Sequence, residues 1–352
     1  MSPLDYSATQ LLATAEPEVL FTTPDITVVH KEFLKLAAKW HPDICKDPKA
    51  SDVLAHLNVL KQRAEEKLAK GFWQAPNLLT LKLNDGKHKP NLQVKYKKHH
   101  SFELGDFYIC DNSVVYLLKT GSDDLVRGFL KSIENFKFAS DRMKDEISRY
   151  LPQLGSIHHS IAALEATDGR KILVVKKNPD QILLRDLLTV GSLDPRHVAW
   201  IISSLLNLAC YLEYNQQTLN DISLDTVYIA PEHHSVALLG GWWYSVARGE
   251  RLVAVPKRTL NLLPPKVLTT KKASRRTDLE LIRAIFRELV GDKIGIGTLA
   301  GIPESMVEWG RFPSSGSAKD DYKYWMEVLK KAFGKRTFTK LNVTAEQIYK
   351  EL

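Results

Sequence analysis

His41, Pro42 and Asp43 stand together at the end of "FLKLAAKW" (33–40), a segment in which basic and apolar residues follow a helical repeat. Lys31, Lys35 and Lys39 recur at steps of four, so a helix through this segment carries a basic stripe running into the His-Pro-Asp corner. The other candidates for chemistry are weaker. The pairs His99-His100, His158-His159 and His233-His234 offer imidazoles, but adjacent side chains on a strand point apart and no third ligand follows at metal spacing. Cys45, Cys110 and Cys210 are far apart and form no CxxC, which argues against a zinc site or a disulfide framework and for a reducing compartment. No Gly-x-Ser-x-Gly, Walker loop or His-Glu-x-x-His occurs, so those hydrolase classes have no support. No metal and no cofactor is expected.

Two helices are needed to present the corner. Thr23-Pro24-Asp25 is a helix start, with a capping residue, proline in the first turn and an acid near the positive end of the dipole. Val29, Phe33, Leu36, Ala37 and Trp40 then fall on one apolar stripe. Pro42 cannot continue a helix and disfavours helical geometry at His41, so the helix ends there. A second helix begins near Ser51, with Val53, Leu57, Leu60, Ala64 and Leu68 on one face. The two stripes predict an antiparallel hairpin with His41, Pro42 and Asp43 exposed at its tip.

"FLKLAAKWHPDICKDPKASDVLAHLNVL" resembles the J domain of DnaJ-type co-chaperones, with its basic helix II, His-Pro-Asp loop and helix III. Phe33 sits at the family's aromatic position, Trp40 precedes the loop, and Asn58 occupies the helix III asparagine position. The region of helix I (8–20) is short, and no fourth helix follows Leu68. The resemblance implies a DnaK-type ATPase chaperone as partner. His41, Pro42 and Asp43 would engage it, while Lys31, Lys35 and Lys39 steer towards its acidic surface.

The whole chain has 352 residues, 44% of them hydrophobic and 26% charged, which suits two or three globular units. Its N-terminus lacks the pattern of a signal peptide. The most apolar window, "HVAWIISSLLNLACYLEY" (197–214), is broken by Ser203, Ser204 and Asn207 and reads as a buried helix, not a membrane span. A soluble, cytoplasmic protein without membrane contact is expected. The net charge of +8 hints at an acidic partner, and basic residues cluster at 82–100, 271–276 and 330–340. These runs read as solvated surface and a flexible linker, with nucleic-acid binding as the alternative.

Beyond residue 100 the periodicity shifts to two. Strands are expected on either side of Asp111-Asn112 within 101–119 and at "VRGFLKSI" (126–133). A helix at 140–154 is capped by Ser140 or Asp141, and a hairpin at 160–177 turns at Asp168-Gly169. This order, followed by a helix-rich remainder, resembles a protein kinase over roughly 100–345. "LNDISLDT" resembles the catalytic loop, "LLPPKVL" (262–268) the region around the Ala-Pro-Glu motif, and "TDLELIRAIFREL" (277–289) the following helix F, with Asp278 at its acidic position.

The motifs that carry kinase chemistry are altered. The resemblance puts Gly105 alone in the glycine-rich loop, Lys131 at the strand lysine, Glu146 at its helical partner and Asp221 at the catalytic aspartate. Ser223 replaces the loop lysine and Thr226 the metal-binding asparagine, while Gly240, Gly241, Trp242 and Trp243 cover the Asp-Phe-Gly position with no carboxylate. Asp225 and Glu232 are the nearby acids, and neither is at a ligand position. Without the magnesium ligands nothing neutralises charge between the β- and γ-phosphates. Lys131, Glu146 and Asp221 are thus remnants, and Trp242-Trp243-Tyr244 is expected to fill space left by the lost nucleotide.

The expected fold is α+β. A J-domain-like helical hairpin (1–75) and a basic linker (76–100) precede a two-lobed kinase-like fold, with an N-lobe at 101–180 and a helical C-lobe at 181–352. The expected function is a non-enzymatic J-domain co-chaperone whose pseudokinase module binds a client protein. The alternatives are a divergent kinase with residual nucleotide binding and a non-enzymatic nucleic-acid binder.

Overall fold

A computed structural model of the chain describes residues 2–84, 91–156, 163–296, 301–335 and 337–350. The architecture is α+β, with helices leading into antiparallel sheets and then further helices. Its contacts divide into two compact units, residues 1–110 with 115–120 and 163–173, and residues 111–114, 121–162 and 174–352.

The first unit begins with α1 (Ala8–Ala13), α2 (Ile26–Lys39) and α3 (Ala50–Ala69). Asp25, not Thr23, caps α2, because its carboxylate accepts from the N–H groups of Thr27 (2.7 Å) and Val28 (3.2 Å). The helix ends as Pro42 requires, with the Trp40 N–H closing the last turn on the Leu36 carbonyl at 3.0 Å. Val29, Leu36 and Trp40 of the first stripe are buried in one core with Val53, Leu57, Leu60 and Ala64 of α3. Leu11, Leu20 and Phe21 complete that core from the N-terminal segment. Lys67 of α3 reaches the buried Glu18 at 2.7 Å and the exposed Glu16 at 2.6 Å, pinning this segment to the hairpin.

Strands β1 (Phe72–Ala75), β2 (Leu78–Lys82) and β3 (Asn91–Lys95) form an antiparallel meander. The stretch 76–100, expected as a linker, therefore carries β2, β3 and the start of β4 (Lys98–Phe102). Its lysines obscure the strand pattern: Leu79, Leu81 and Val94 are buried, while Lys82 and Lys95 face solvent. Strands β5 (Gly105–Ile109), β6 (Ser113–Leu118), β7 (Leu164–Glu165) and β8 (Lys171–Lys176) complete a second sheet in the order β4-β5-β6-β8-β7.

The second unit starts with α4 (Asp123–Glu134) and α5 (Asp141–Ile147), the latter capped by Ser140, whose hydroxyl accepts from the Met143 N–H. The expected strand at 126–133 is thus corrected to helix. Val126, Phe129 and Leu130 are buried at helical spacing, and Asp123 and Asp124 occupy a first turn where acids complement the dipole. There follow β9 (Ile182–Leu183), α6 (Leu184–Leu187), α7 (Pro195–Tyr214), β10 (Gln217–Thr218), β11 (Val227–Ala230), β12 (Ser235–Leu238) and β13 (Val246–Ala247). The remainder is helical: α8 (Lys257–Leu260), α9 (Pro265–Thr270), α10 (Arg275–Leu289), α11 (Glu304–Arg311), α12 (Ala318–Phe333) and α13 (Ala345–Ile348).

Helix α7, which contains the apolar window 197–214, is the centre of this unit and packs against α10 and α12. Phe286, Trp309 and Trp325 form an aromatic cluster beside it, with the two indoles 4.4 Å apart. Arg283 and Asp321 make a buried ion pair at 2.7 Å, and Arg283 also donates to the Phe312 carbonyl at 2.8 Å. Among the described residues no helix is long and apolar enough to cross a membrane.

Candidate functional site

The His-Pro-Asp turn is built by the end of α2. The His41 carbonyl accepts from the N–H groups of Ile44 (2.9 Å) and Cys45 (2.8 Å), folding the chain back before α3 begins. Within the turn the Asp43 N–H donates to His41 Nδ1 at 3.3 Å, and the Asp43 carboxylate lies 3.5 Å from the same nitrogen. The side chains are 48% and 86% exposed for His41 and Asp43, so both face solvent while mutually oriented. Pro42 between them is exposed, and so is Ile44, at 71%.

The lysine stripe leads to this turn. Lys31 and Lys35 are exposed and make no ion pair among the described residues. Leu34 lies between them, 52% exposed, with Ala38 following on the same face. Lys39 differs: its ammonium donates to the Leu4 carbonyl and sits 5.7 Å from the centre of the Trp40 ring. Two of the three lysines are therefore free for a partner, and the third ties the N-terminal segment to α2.

In the second unit the loop from β10 to β11 is held by hydrogen bonds from several elements. Asp278 on α10 is fully enclosed, and its two oxygens accept from the N–H groups of Leu219 (2.9 Å) and Asn220 (2.7 Å). Burial pushes its carboxyl up to about 7, although the two N–H groups act in the opposite direction. Asn220, at φ 63, donates from its amide to the Tyr244 carbonyl at 2.9 Å. Thr226 accepts from the Ser223 N–H at 2.9 Å and donates to backbone carbonyls of the same loop, a structural use of its hydroxyl. Gly241 has φ 85, and a Cβ there would lie 2.3 Å from the Asp221 carbonyl oxygen, so this turn needs glycine.

Asp221 is buried and bound by Arg258, whose Nη2 lies 2.5 Å and Nε 3.1 Å from one carboxylate oxygen. Arg258 also reaches Asp225 at 2.9 Å, and Asp225 pairs with Arg185. Burial opposes the charge on Arg258, but the two carboxylates outweigh it and raise its pKa. Neither arginine is visible from sequence as part of this cluster, because Arg258 and Arg185 lie 37 and 40 residues from the acids they hold.

Other expected residues are not brought together. Lys131 is on helix α4, not on a strand, and lines a cavity with Asn135, Asn215 and Glu250. Glu146 is mid-helix as expected, but it faces solvent and pairs with Arg142 at 3.0 Å, not with Lys131. Gly105 follows a tight β4–β5 turn at Glu103-Leu104, where a Cβ would meet the Leu117 carbonyl at 2.1 Å. Close strand packing alone therefore accounts for this glycine. Trp242, Trp243 and Tyr244 are buried, with Trp243 4.4 Å from Phe129 of α4 and Trp242 5.1 Å from Phe136.

The histidine pairs diverge. His99 approaches Asp106 at 3.1 Å, while His100 stacks on Phe107. His233 meets Asp180 at 2.8 Å and His234 stacks on Trp200. His158 and His159 lie outside the described residues. Among the described residues no cluster of three His, Cys, Asp or Glu side chains could hold a metal ion. Compared with known proteins, the chain matches no family model and no curated protein.

Proposed function

We propose that this chain is a J-domain-type co-chaperone that recruits a DnaK-type ATPase and stimulates its ATP hydrolysis. The observation that carries the reading is the exposed His41-Pro42-Asp43 turn, at the end of a helix whose Lys31 and Lys35 are unpaired. An acidic partner surface would meet those ammonium groups first, and the mutually oriented His41 and Asp43 would fix its register. The packed α2–α3 pair supplies the rigidity such a contact needs.

The chain from β4 onwards is then a kinase-like module without phosphoryl transfer. The sheet order β4-β5-β6-β8-β7, the helical remainder and the Asp278 bridge to residues 219–220 support a kinase-like fold. Thr226 and Gly241, at the positions where the resemblance expects magnesium ligands, serve the backbone of their own loop. Arg258 pairs with Asp221, the position that the resemblance gives to the catalytic aspartate, and so occupies one oxygen of its carboxylate. In this reading the module selects the client and tethers it near the recruited ATPase, raising its effective concentration.

Single-turnover ATP hydrolysis by a DnaK-type chaperone tests this, with the full chain and its His41→Gln variant. Stimulation by the parent and none by the variant is expected. Equal rates with and without the folded parent would end the co-chaperone reading. A thermal shift of the parent by ATP and magnesium would contradict the inactive-kinase half.

A further inference from the structure

A cavity of about 370 Å³ lies in the second unit between α7 and α12, beneath the turn that joins β11 to β12. Its size falls within the range of small-molecule sites. Among the described residues the wall carries charge of one sign: Arg149, Arg196 and Lys330 line it, and no aspartate or glutamate does. None of the three cations makes an ion pair among the described residues. Burial lowers the pKa of His234 and so disfavours its charged form, leaving the field to the three cations.

The inner surface is also short of hydrogen bonds. Among the described residues Trp200 Nε1 and His234 Nε2 are buried without a hydrogen-bond partner of good geometry, although the Thr339 backbone faces the His234 ring, and native cores avoid such orphaned atoms. The two rings stack 4.8 Å apart at 20°. His234 holds this place from a left-handed φ of 45, a strained conformation for a residue with a side chain and one that gathers at functional positions. The polar residues that interrupt the apolar window of α7 explain themselves here. Ser203 accepts from Trp325 Nε1 at 2.9 Å, while Ser204 and Asn207 line the cavity one helical turn beyond Trp200 and two. Phe333 adds an aromatic wall, with the Arg196 guanidinium 5.0 Å from its centre.

We infer that this cavity binds a small aromatic acid. Its carboxylate or phosphate faces Arg149, Arg196 and Lys330 and accepts from Trp200 Nε1, and its ring lies against the aromatic wall. An acceptor-rich anion answers both the excess of cations and the orphaned indole N–H, and a flat ring answers the aromatic surface. This site is independent of the His41 turn, and the inference stands or falls without the co-chaperone reading.

The test is calorimetric titration of the full chain with naphthoate and naphthyl phosphate, which separate a carboxylate ligand from a phosphate one. Naphthol, inorganic phosphate and decanoate are the controls. At least one aromatic acid is expected to bind, with every control weaker by about tenfold or more. The double variant Arg196→Gln, Lys330→Gln changes two exposed side chains and should fold as the parent does. It is expected to lose about tenfold in affinity or more. Trp200→Phe keeps a ring but removes the N–H and should lose about fivefold. No binding of either acid at millimolar concentration would overturn the assignment. So would naphthol or decanoate matching the acids, or unchanged affinity in the double variant.

Discussion

Replacing Asp278 by asparagine probes a fully enclosed carboxyl that ties α10 to the loop at 219–220. Burial pushes this carboxyl up to about 7 from an ordinary value of 3.8. Between those two pH values the unfolded chain has lost the proton while the folded chain still holds it. Stability from this group is therefore complete below about pH 4 and lost as pH rises to about 7. About three pH steps at about 1.4 kcal/mol each give a swing of about 4 kcal/mol. Asparagine cannot titrate, and it turns an amide N–H₂ towards one of the two backbone donors, a pH-independent cost of about 1–3 kcal/mol. Asp278→Asn should thus be less stable than the parent near pH 4, with the gap closing or reversing by about pH 7. Urea unfolding followed by tryptophan fluorescence, with parent and variant side by side across this range, reads the difference and cancels the other titrating groups. A stability gap that stays constant with pH would refute the reasoning, because it would mean that the folded protein holds Asp278 ionised throughout.

Two further substitutions probe the frames of the two units. Gly241→Ala places a Cβ 2.3 Å from the Asp221 carbonyl at φ 85, and should cost about 2 kcal/mol or more in urea unfolding at neutral pH. Lys67→Met leaves Glu18, whose side chain is 1% exposed, without its closest ammonium, and should cost about 3 kcal/mol. The double variant Glu18→Gln, Lys67→Met should recover part of that loss. A double variant less stable than Lys67→Met alone would show that the carboxylate is not the group being penalised.

The corner at residues 41–43 was legible because its causes are local. Pro42 stops a helix whatever surrounds it, and the stripes of α2 and α3 differ from their polar faces by simple spacing. Strands β2 and β3 were hidden because outward lysines made residues 76–100 look like a linker, while their apolar partners sit every second residue. "VRGFLKSI" is short enough to satisfy either period, which is why spacing alone points to a strand where helix α4 stands. Its identity follows from which residues find a core, and Phe129 finds Trp243.

The sequence by itself determined the hairpin, its exposed turn, the helical character of 197–214 and the absence of acids at Gly240-Gly241-Trp242, since each depends on residue type and near-neighbour spacing. Only the tertiary structure decided that Lys131 and Glu146 do not meet, that Arg258 holds Asp221, and that Trp200 and His234 enclose polar atoms without partners. Lys131 and Glu146 are 15 positions apart, Trp200 and His234 are 34 and Arg258 and Asp221 are 37, all beyond the reach of local spacing. Nothing in local spacing encodes which distant side chain fills a given space, because that choice is made by packing and by the cost of leaving a buried charge or N–H unpaired.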